Sequence, residues 1–335
     1  MVFAAAEALR GSFDVTIAGP SVPDTGRLER FGVPSDVRLR QLHPARFPVA
    51  TIGVDLVVYL ANGVPLPSLA RRSLLILQFP FEPLTRWPVL RQAQRASLRR
   101  YDVLVYSEFV AEWTRRRLEV DPAVLHPPAQ RPHAPNATAP KERLILGVGR
   151  FFDVEHAKRH DILIEAYRRL PDDLRASWRL VLAGGADTTA SAKAYLDRLR
   201  TMAGDADIAF EVNVAEDRLR DLYDQASLFW HATGFGRAQD QPERAEHFGL
   251  STLEAMAHGA VPLVYADGGQ PEIVGPGSGI LWHSIDELVA ETVRLTSDEQ
   301  ARALLSSGAL HRANDFPPSA FAEELRRRAG AGRGA

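Results

Sequence analysis

Two carboxylates, Glu246 and Glu254, are separated by seven residues in Glu246-His-Phe-Gly249-Leu-Ser-Thr-Leu-Glu254. Gly249 lets backbone approach a ligand closely. Ser251 and Thr252 are small hydroxyl residues near a helix start, where they can cap or donate. Glu254 then falls about a turn into that helix, and Glu246 in the loop before it. One carboxylate sits beside an exposed helix N-terminus and another further down the same side, an arrangement that accepts hydrogen bonds from sugar or ribose hydroxyls. Taken alone, the spacing equally describes a capping loop and a solvated helix glutamate.

A second group is Gly147-Val-Gly149-Arg150 with Lys158, placed where a strand ends and a helix begins. Unsatisfied N–H groups and the helix dipole attract anions there. Arg150 and Lys158 add two cations, so a pyrophosphate is the natural ligand; the plain alternative is a tight turn with solvated charges. This is no dinucleotide fingerprint, because Phe152 stands where the third glycine is required. A third group, Gly268-Gly269-Gln270-Pro271-Glu272, follows the apolar run Val261–Tyr265. A double glycine after a parallel strand marks the sheet edge where open α/β folds bind ligands, although it is also an ordinary turn.

A fourth group is Leu228-Phe-Trp-His231, followed by the polar loop Arg237–Ala245. His231 closes an apolar run and points toward the edge that carries Glu246; otherwise it is a satisfied core histidine. In the first half, Gln78-Phe-Pro-Phe81 and Ser107 also follow apolar runs and are expected to face a cleft. His156 and His160 lie four apart, but with Lys158 and Arg159 between them and no carboxylate partner they read as surface residues at a helix start, not as a zinc pair. The sequence has no P-loop and no nucleophile elbow.

These groups need a scaffold of strands and helices to converge. At roughly 100–200 residues per domain, 335 residues make two domains. The net charge of -2 gives no electrostatic case for a nucleic-acid partner. Zero cysteines exclude disulfides, thiolate metal sites and a cysteine nucleophile. No run of about 18 apolar residues predicts a membrane span, and Met1–Ala8 lacks the basic flank of a signal peptide.

Short apolar runs alternate with amphipathic segments, the pattern of βαβ units and a parallel sheet. Strands are expected at Asp14–Ala18, Val54–Leu60, Ser73–Gln78 and Val103–Tyr106, then at Leu144–Val148, Arg179–Ala183, Ala209–Val212, Leu228–His231, Val261–Tyr265 and Gly279–Leu281. Helices are expected between them, including Ala157–Leu170, Gly249–His258 and Ser319–Arg328. Five prolines within His126–Lys141 rule out a helix or central strand and mark an interdomain connection. The chain opens inside a helix, Phe3–Leu9, where a doubly wound domain normally opens with a strand and a glycine-rich turn; the expectation is an N-terminal domain without its first strand, either because the true start lies upstream or because this copy has lost it.

Taken together, Leu144–Trp282 resembles the retaining glycosyltransferases of family 4. Gly147–Arg150 with Lys158 looks like that family's donor phosphate site, Glu246–Glu254 like its E-x7-E signature, and Gly268–Glu272 like its G-G-x-x-E loop. Leu219–Tyr223, Gln78–Phe81, Ser107–Phe109 and Pro127-Pro128 extend the likeness. It is nearest the branch with lipid-linked-oligosaccharide mannosyltransferases and related bacterial enzymes.

The resemblance implies an α/β GT-B fold, two Rossmann-like domains with parallel sheets facing a cleft. It implies an acceptor-side domain over 1–130, a linker over 131–140, a nucleotide-sugar domain over 141–312 and a helix over 313–329 packing back on the first domain. It implies retaining transfer of a hexose from GDP-mannose or a UDP-sugar to a glycan or lipid-linked acceptor, with no metal or cofactor. Arg150 and Lys158 would neutralise the departing diphosphate. Glu246 would hold a sugar hydroxyl and steady charge at the anomeric carbon, and Glu254 would hold the ribose. Gly149, Phe248, Gly249, Leu250 and Ser251 would line sugar and phosphate, Val212, Asn213 and Val214 the base, and His231, Gln78 and Ser107 the rest of the cleft. Gln78 takes a place where many relatives have histidine, and the spacing from Arg150 to Lys158 is longer than in many of them.

The competing expectations are a non-catalytic nucleotide-sugar or glycan-binding homologue with an incomplete N-terminal domain, and a sugar-phosphate enzyme of the same fold. A cytoplasmic location is expected, with Arg91, Arg95, Arg99 and Arg100 available for peripheral contact with the inner membrane face.

Overall fold

The structure, a computed structural model, describes residues 1–21, 37–61, 63–79, 81, 88–129, 141–152 and 157–330, and for 88–91 the backbone alone. The Pro-rich connection at 131–140 and His156 lie outside the described residues. The chain divides into two compact units, residues 1–128 with 317–335, and residues 129–316.

The first unit contains β1 (Thr16–Gly19), β2 (Arg38–Gln41), β3 (Leu56–Ala61), β4 (Arg72–Leu77), β5 (Asp102–Val105) and β6 (Ala123–Val124). β3 to β6 form one parallel sheet in sequence order, while among the described residues β1 and β2 pair only with each other. A doubly wound sheet places a first strand between the second and fourth. Among the described residues no strand joins β1–β2 to β3, and β3 is only half-buried along Leu56–Leu60, where β4 is fully buried from Leu74 to Leu77. Helix Pro318–Ala329 packs here, on helix Val2–Leu9: Arg326 Nε donates to Ala8 O at 2.6 Å, and Arg328 pairs with Asp102 at 2.9 Å.

The second unit is one six-stranded parallel sheet of β7 (Glu142–Val148), β8 (Arg179–Gly184), β9 (Ile208–Val212), β10 (Ala226–His231), β11 (Val261–Tyr265) and β12 (Ile280–Trp282). Its spatial order is β12-β11-β10-β7-β8-β9. Counted within the unit this is 3-2-1-4-5-6, the dinucleotide-fold order, which reverses between β7 and β10. The alternation of side chains along a strand builds two cores. Ile145, Leu180, Leu182, Leu228 and Trp230 face one layer of helices. Leu144, Leu146, Val181, Ala183 and Phe229 face the other. Burial on both faces explains why these strands read as continuous apolar runs.

Two expectations are corrected here. The helix read from Ala157 begins only at His160, because Arg159 takes a left-handed φ of 52°. His160 is not a surface residue: it is 1% exposed, stacked on Phe151 at 4.6 Å, with Nδ1 3.5 Å from Tyr195 Oη. The flanking charges suggested solvent, but the first turn of this helix faces the core. Burial lowers the His160 pKa to about 3, so the ring is neutral.

Candidate functional site

In an open α/β sheet the ligand crevice lies outside the carboxyl ends of the strands at the reversal point. The chain leaving β7 there forms the Gly147–Arg150 turn. It is stitched to the end of β8 by Gly149 N–H donating to Ala183 O at 2.9 Å and Phe151 N–H to Gly185 O at 2.8 Å. The Lys158 stem crosses the open face of Gly149; a Cβ on that glycine would lie 2.4 Å from Lys158 Cγ. That close approach is the physical need for glycine in the motif. Arg150 stays exposed at the rim, its guanidinium 4.8 Å from the Phe152 ring centroid.

Lys158 Nζ donates to Glu246 Oε2 at 2.6 Å across 88 positions of sequence. His231, the last residue of β10, brings Nε2 to 2.9 Å from the same oxygen. The side chains are 15%, 8% and 2% exposed for Lys158, Glu246 and His231. Burial lowers the His231 pKa, with the bond to Glu246 opposing it; a neutral ring protonated on Nε2 donates to that carboxylate. The site thus gathers a cation, a neutral donor and a carboxylate in a nearly dry corner.

The Gly268–Glu272 loop holds Glu246 from behind. Gly269 N–H donates to Glu246 O at 2.7 Å. Gly268, at φ 64°, has no room for a side chain, since a Cβ would sit 2.0 Å from Glu246 O. Arg237 clamps the polar loop after His231 to this same turn through two bonds to Asp267, with side chains 11% and 17% exposed.

Helix Leu250–Ala257 starts at Gly249 with no side-chain cap and no acidic residue in its first turn, so no side chain of the helix's own first turn offsets its dipole at that end. Leu250 is exposed and Ser251 half-buried at this start, whereas the Phe248 ring is buried against Phe316, edge to face at 5.8 Å. Glu254 accepts from Tyr223 Oη at 3.0 Å. Burial raises the Glu254 pKa to about 7, the Tyr223 bond works against it, and Glu216 adds to it. At the end of β9, half-buried Val212 and Val214 flank Asn213, whose side chain exchanges two bonds with the Ala186 backbone at 2.9 and 3.1 Å.

Lys158, Glu246 and His231 are therefore joined, with Gly149 beneath Lys158. Glu254 has other partners, and Asn213 closes the β8 loop. Gln78 and Ser107 belong to the first unit. Gln78 is half-buried after β4, and Ser107 is fully buried, accepting from Val110 N at 3.2 Å as a helix cap. Sequence reading missed Tyr223, Asp267 and Arg237 as supports: their partners are 30 and 31 positions away, so no local pattern announces them.

A profile of the glycosyl transferases group 1 matches residues 130–311, more than half of the chain. A D-inositol 3-phosphate glycosyltransferase of Catenulispora acidiphila is 33% identical over 190 residues, 54% of this chain and 42% of that protein. An alpha-1,3/1,6-mannosyltransferase of Rhizomucor pusillus is 26% identical over 243 residues, 61% of this chain and 51% of that protein. The chain thus spans about half the length, or less, of these curated relatives. In fold it is similar to Anabaena HepE, solved in complex with UDP and glucose, at a TM-score of 0.71 and 16% identity over 98% of this chain and 95% of that one. The chain belongs to the glycosyl transferases group 1, and its two α/β units are of the GT-B type.

Proposed function

We propose that the chain transfers a hexose from a nucleoside-diphosphate sugar, GDP-mannose or a UDP-sugar, to a glycan or lipid-linked acceptor with retained anomeric configuration. The observation that carries this reading is the convergence of Lys158 and His231 on one oxygen of Glu246 beside the Gly147–Arg150 turn. In the reaction, the bond from the anomeric carbon to the diphosphate breaks, and a bond to the acceptor oxygen forms on the same face. The acceptor proton leaves with the diphosphate. Negative charge grows on the leaving group, where Arg150, Lys158 and the N–H groups from Phe248 to Ser251 stabilise it. Positive charge grows at the anomeric carbon, beside Glu246. Glu254 takes the ribose hydroxyls and Val212–Val214 the base. Arg150 and Lys158 supply the charge a divalent ion supplies elsewhere, so the reading asks for no cofactor. The mannosyl and inositol-phosphate chemistry in the relatives' names and the UDP and glucose held by HepE support the donor class.

The test is thermal stabilisation by GDP, UDP and ADP in the wild type and Glu254→Ala. A ligand at about 100 times its Kd adds roughly 2.7 kcal/mol. A shift with one nucleotide, weakened by the substitution, supports the donor site; no shift with any of the three sinks the reading.

Peripheral contact with a cytoplasmic membrane face, where a lipid-linked acceptor would reside, belongs to the same proposal. Its support is a cluster in the first unit, Val49, Ile52 and Leu69, exposed 70%, 62% and 45%, with Leu69 N–H bonded to Thr51 Oγ1 at 2.9 Å. The arginines contribute less than expected: Arg95 pairs with Glu119 and Arg100 donates to Ser68 O at 3.0 Å, while the Arg91 side chain lies outside the described residues. No described helix is long and apolar enough to cross a membrane. Cosedimentation with phosphatidylglycerol vesicles should fall in Val49→Ser/Ile52→Ser; unchanged binding would remove this support.

A further inference from the structure

The loop Gly268–Glu272 carries a residue with no role in the scheme above. Gln270 is fully buried, and its Nε2 lies 3.1 Å from His231 Nδ1 and 3.0 Å from Thr252 Oγ1. Its Oε1 has no hydrogen-bond partner among the described residues. A buried amide oxygen left unmatched is unfavourable. Turning the amide over would satisfy that oxygen but leave the –NH2 group unmatched in its place. It would give His231 Nδ1 an acceptor, force the ring proton onto Nδ1, and leave a bare Nε2 lone pair 2.9 Å from the Glu246 carboxylate. Keeping –NH2 toward the ring lets Nδ1 accept, puts the proton on Nε2, and directs it at Glu246 Oε2. Thr233 Oγ1, 3.2 Å from Nε2, is compatible as a second acceptor.

We propose that Gln270 is a positioning residue: by donating to His231 Nδ1 it fixes the Nε2–H tautomer, and the ring then holds Glu246 in the orientation that Lys158 completes from the other side. The proposal rests on the role given to Glu246 above. All members of the relay are between 0% and 6% exposed, namely Gln270, Thr252, His231 and Glu246, so water does not substitute for a missing donor. The relay also joins three separate pieces of chain: the end of β10, the start of helix Leu250–Ala257 and the double-glycine loop. The catalytic carboxylate is thereby keyed to both of the motifs that flank it.

The experiment is a long-range 1H–15N correlation spectrum of 15N-histidine-labelled protein, with the His231 signals identified by their loss in His231→Gln, alongside transfer kinetics. In the wild type His231 should be the Nε2–H tautomer. In Gln270→Met, which keeps the volume and removes the donor, the ring should become a mixture of tautomers. Its kcat should fall on the order of 10- to 100-fold, by analogy with the partners that orient metal-ligating side chains, with KM for the donor little changed. Gln270→Glu offers Nδ1 a carboxylate and should show a proton on both ring nitrogens, the ring then lying between that carboxylate and Glu246, with Lys158 beyond. An Nδ1–H tautomer in the wild type overturns the proposal without any variant, as does an unchanged tautomer in Gln270→Met. A relaxed tautomer with unchanged kcat overturns the link to Glu246. A tautomer that follows Gln270 in a protein without transferase activity leaves the relay standing and removes the functional reading instead.

Discussion

Glu246 and Glu254 come from one nine-residue segment and lie in opposite electrostatic settings. Glu246 is held by a lysine and an imidazole N–H at one oxygen. Glu254 accepts from a phenol, with burial and Glu216 both pushing its pKa up to about 7. The first is a carboxylate already matched by positive charge before any ligand arrives. The second is poised between its two protonation states and gains most from a ligand that donates to it. The pair therefore divides into a charged corner and a titrating one, which suits an anomeric carbon on one side and ribose hydroxyls on the other.

The largest expected effect breaks the charged corner. Glu246→Gln should lower the transfer rate by about 10³-fold while keeping the nucleotide-induced melting shift. Transfer within tenfold of wild type would mean the two glutamates have been assigned the wrong way round. Next, Lys158→Met leaves a buried carboxylate without its cation. This should lower unfolding stability by about 3 kcal/mol, read from urea denaturation. The double variant Lys158→Met/Glu246→Gln should recover most of that loss, and failure to recover would mean the pair is not coupled.

Smaller is the titrating corner. Glu254→Gln should weaken nucleotide binding by about tenfold, the loss of a charged hydrogen bond. Proton release on binding near pH 7, measured by calorimetry in buffers of different ionisation heat, should disappear with it. The same carboxyl sets a sign for stability. Its folded pKa of about 7 exceeds the ordinary value of 4.5. Between those values the folded state holds a proton that the unfolded state has released, so stability from this group falls as pH rises through that window. Glu254→Gln should flatten that slope; an unchanged slope would place the titration elsewhere. Smallest is Tyr223→Phe, which removes the phenol that donates to Glu254 and should shift that proton release to slightly higher pH.

Much of the second unit was legible because its strands are buried on both faces. A strand such as Leu144–Val148 cannot tolerate polar residues on either side, so its apolar run shows directly in the sequence. The first unit was less so. Its βα order was readable, yet that β1–β2 stands apart from β3–β6 depends on which strands pair, and pairing leaves no local signature. His160 shows the same limit: charged neighbours in sequence predicted solvent, and the helix turned it inward. Ser107, expected to face a cleft, spends its hydroxyl on a helix cap.

The sequence by itself determined the α/β alternation, the candidate cations at Arg150 and Lys158, the paired glutamates and the double glycine, because each depends on residue type and short spacing. Only the tertiary structure decided that Lys158 meets Glu246 and not solvent, that His231 is the neutral third member, and that Gln270 lies behind it. Those contacts join residues 15 to 88 positions apart. They exist because a sheet that reverses its order between β7 and β10 brings the ends of distant strands to one edge.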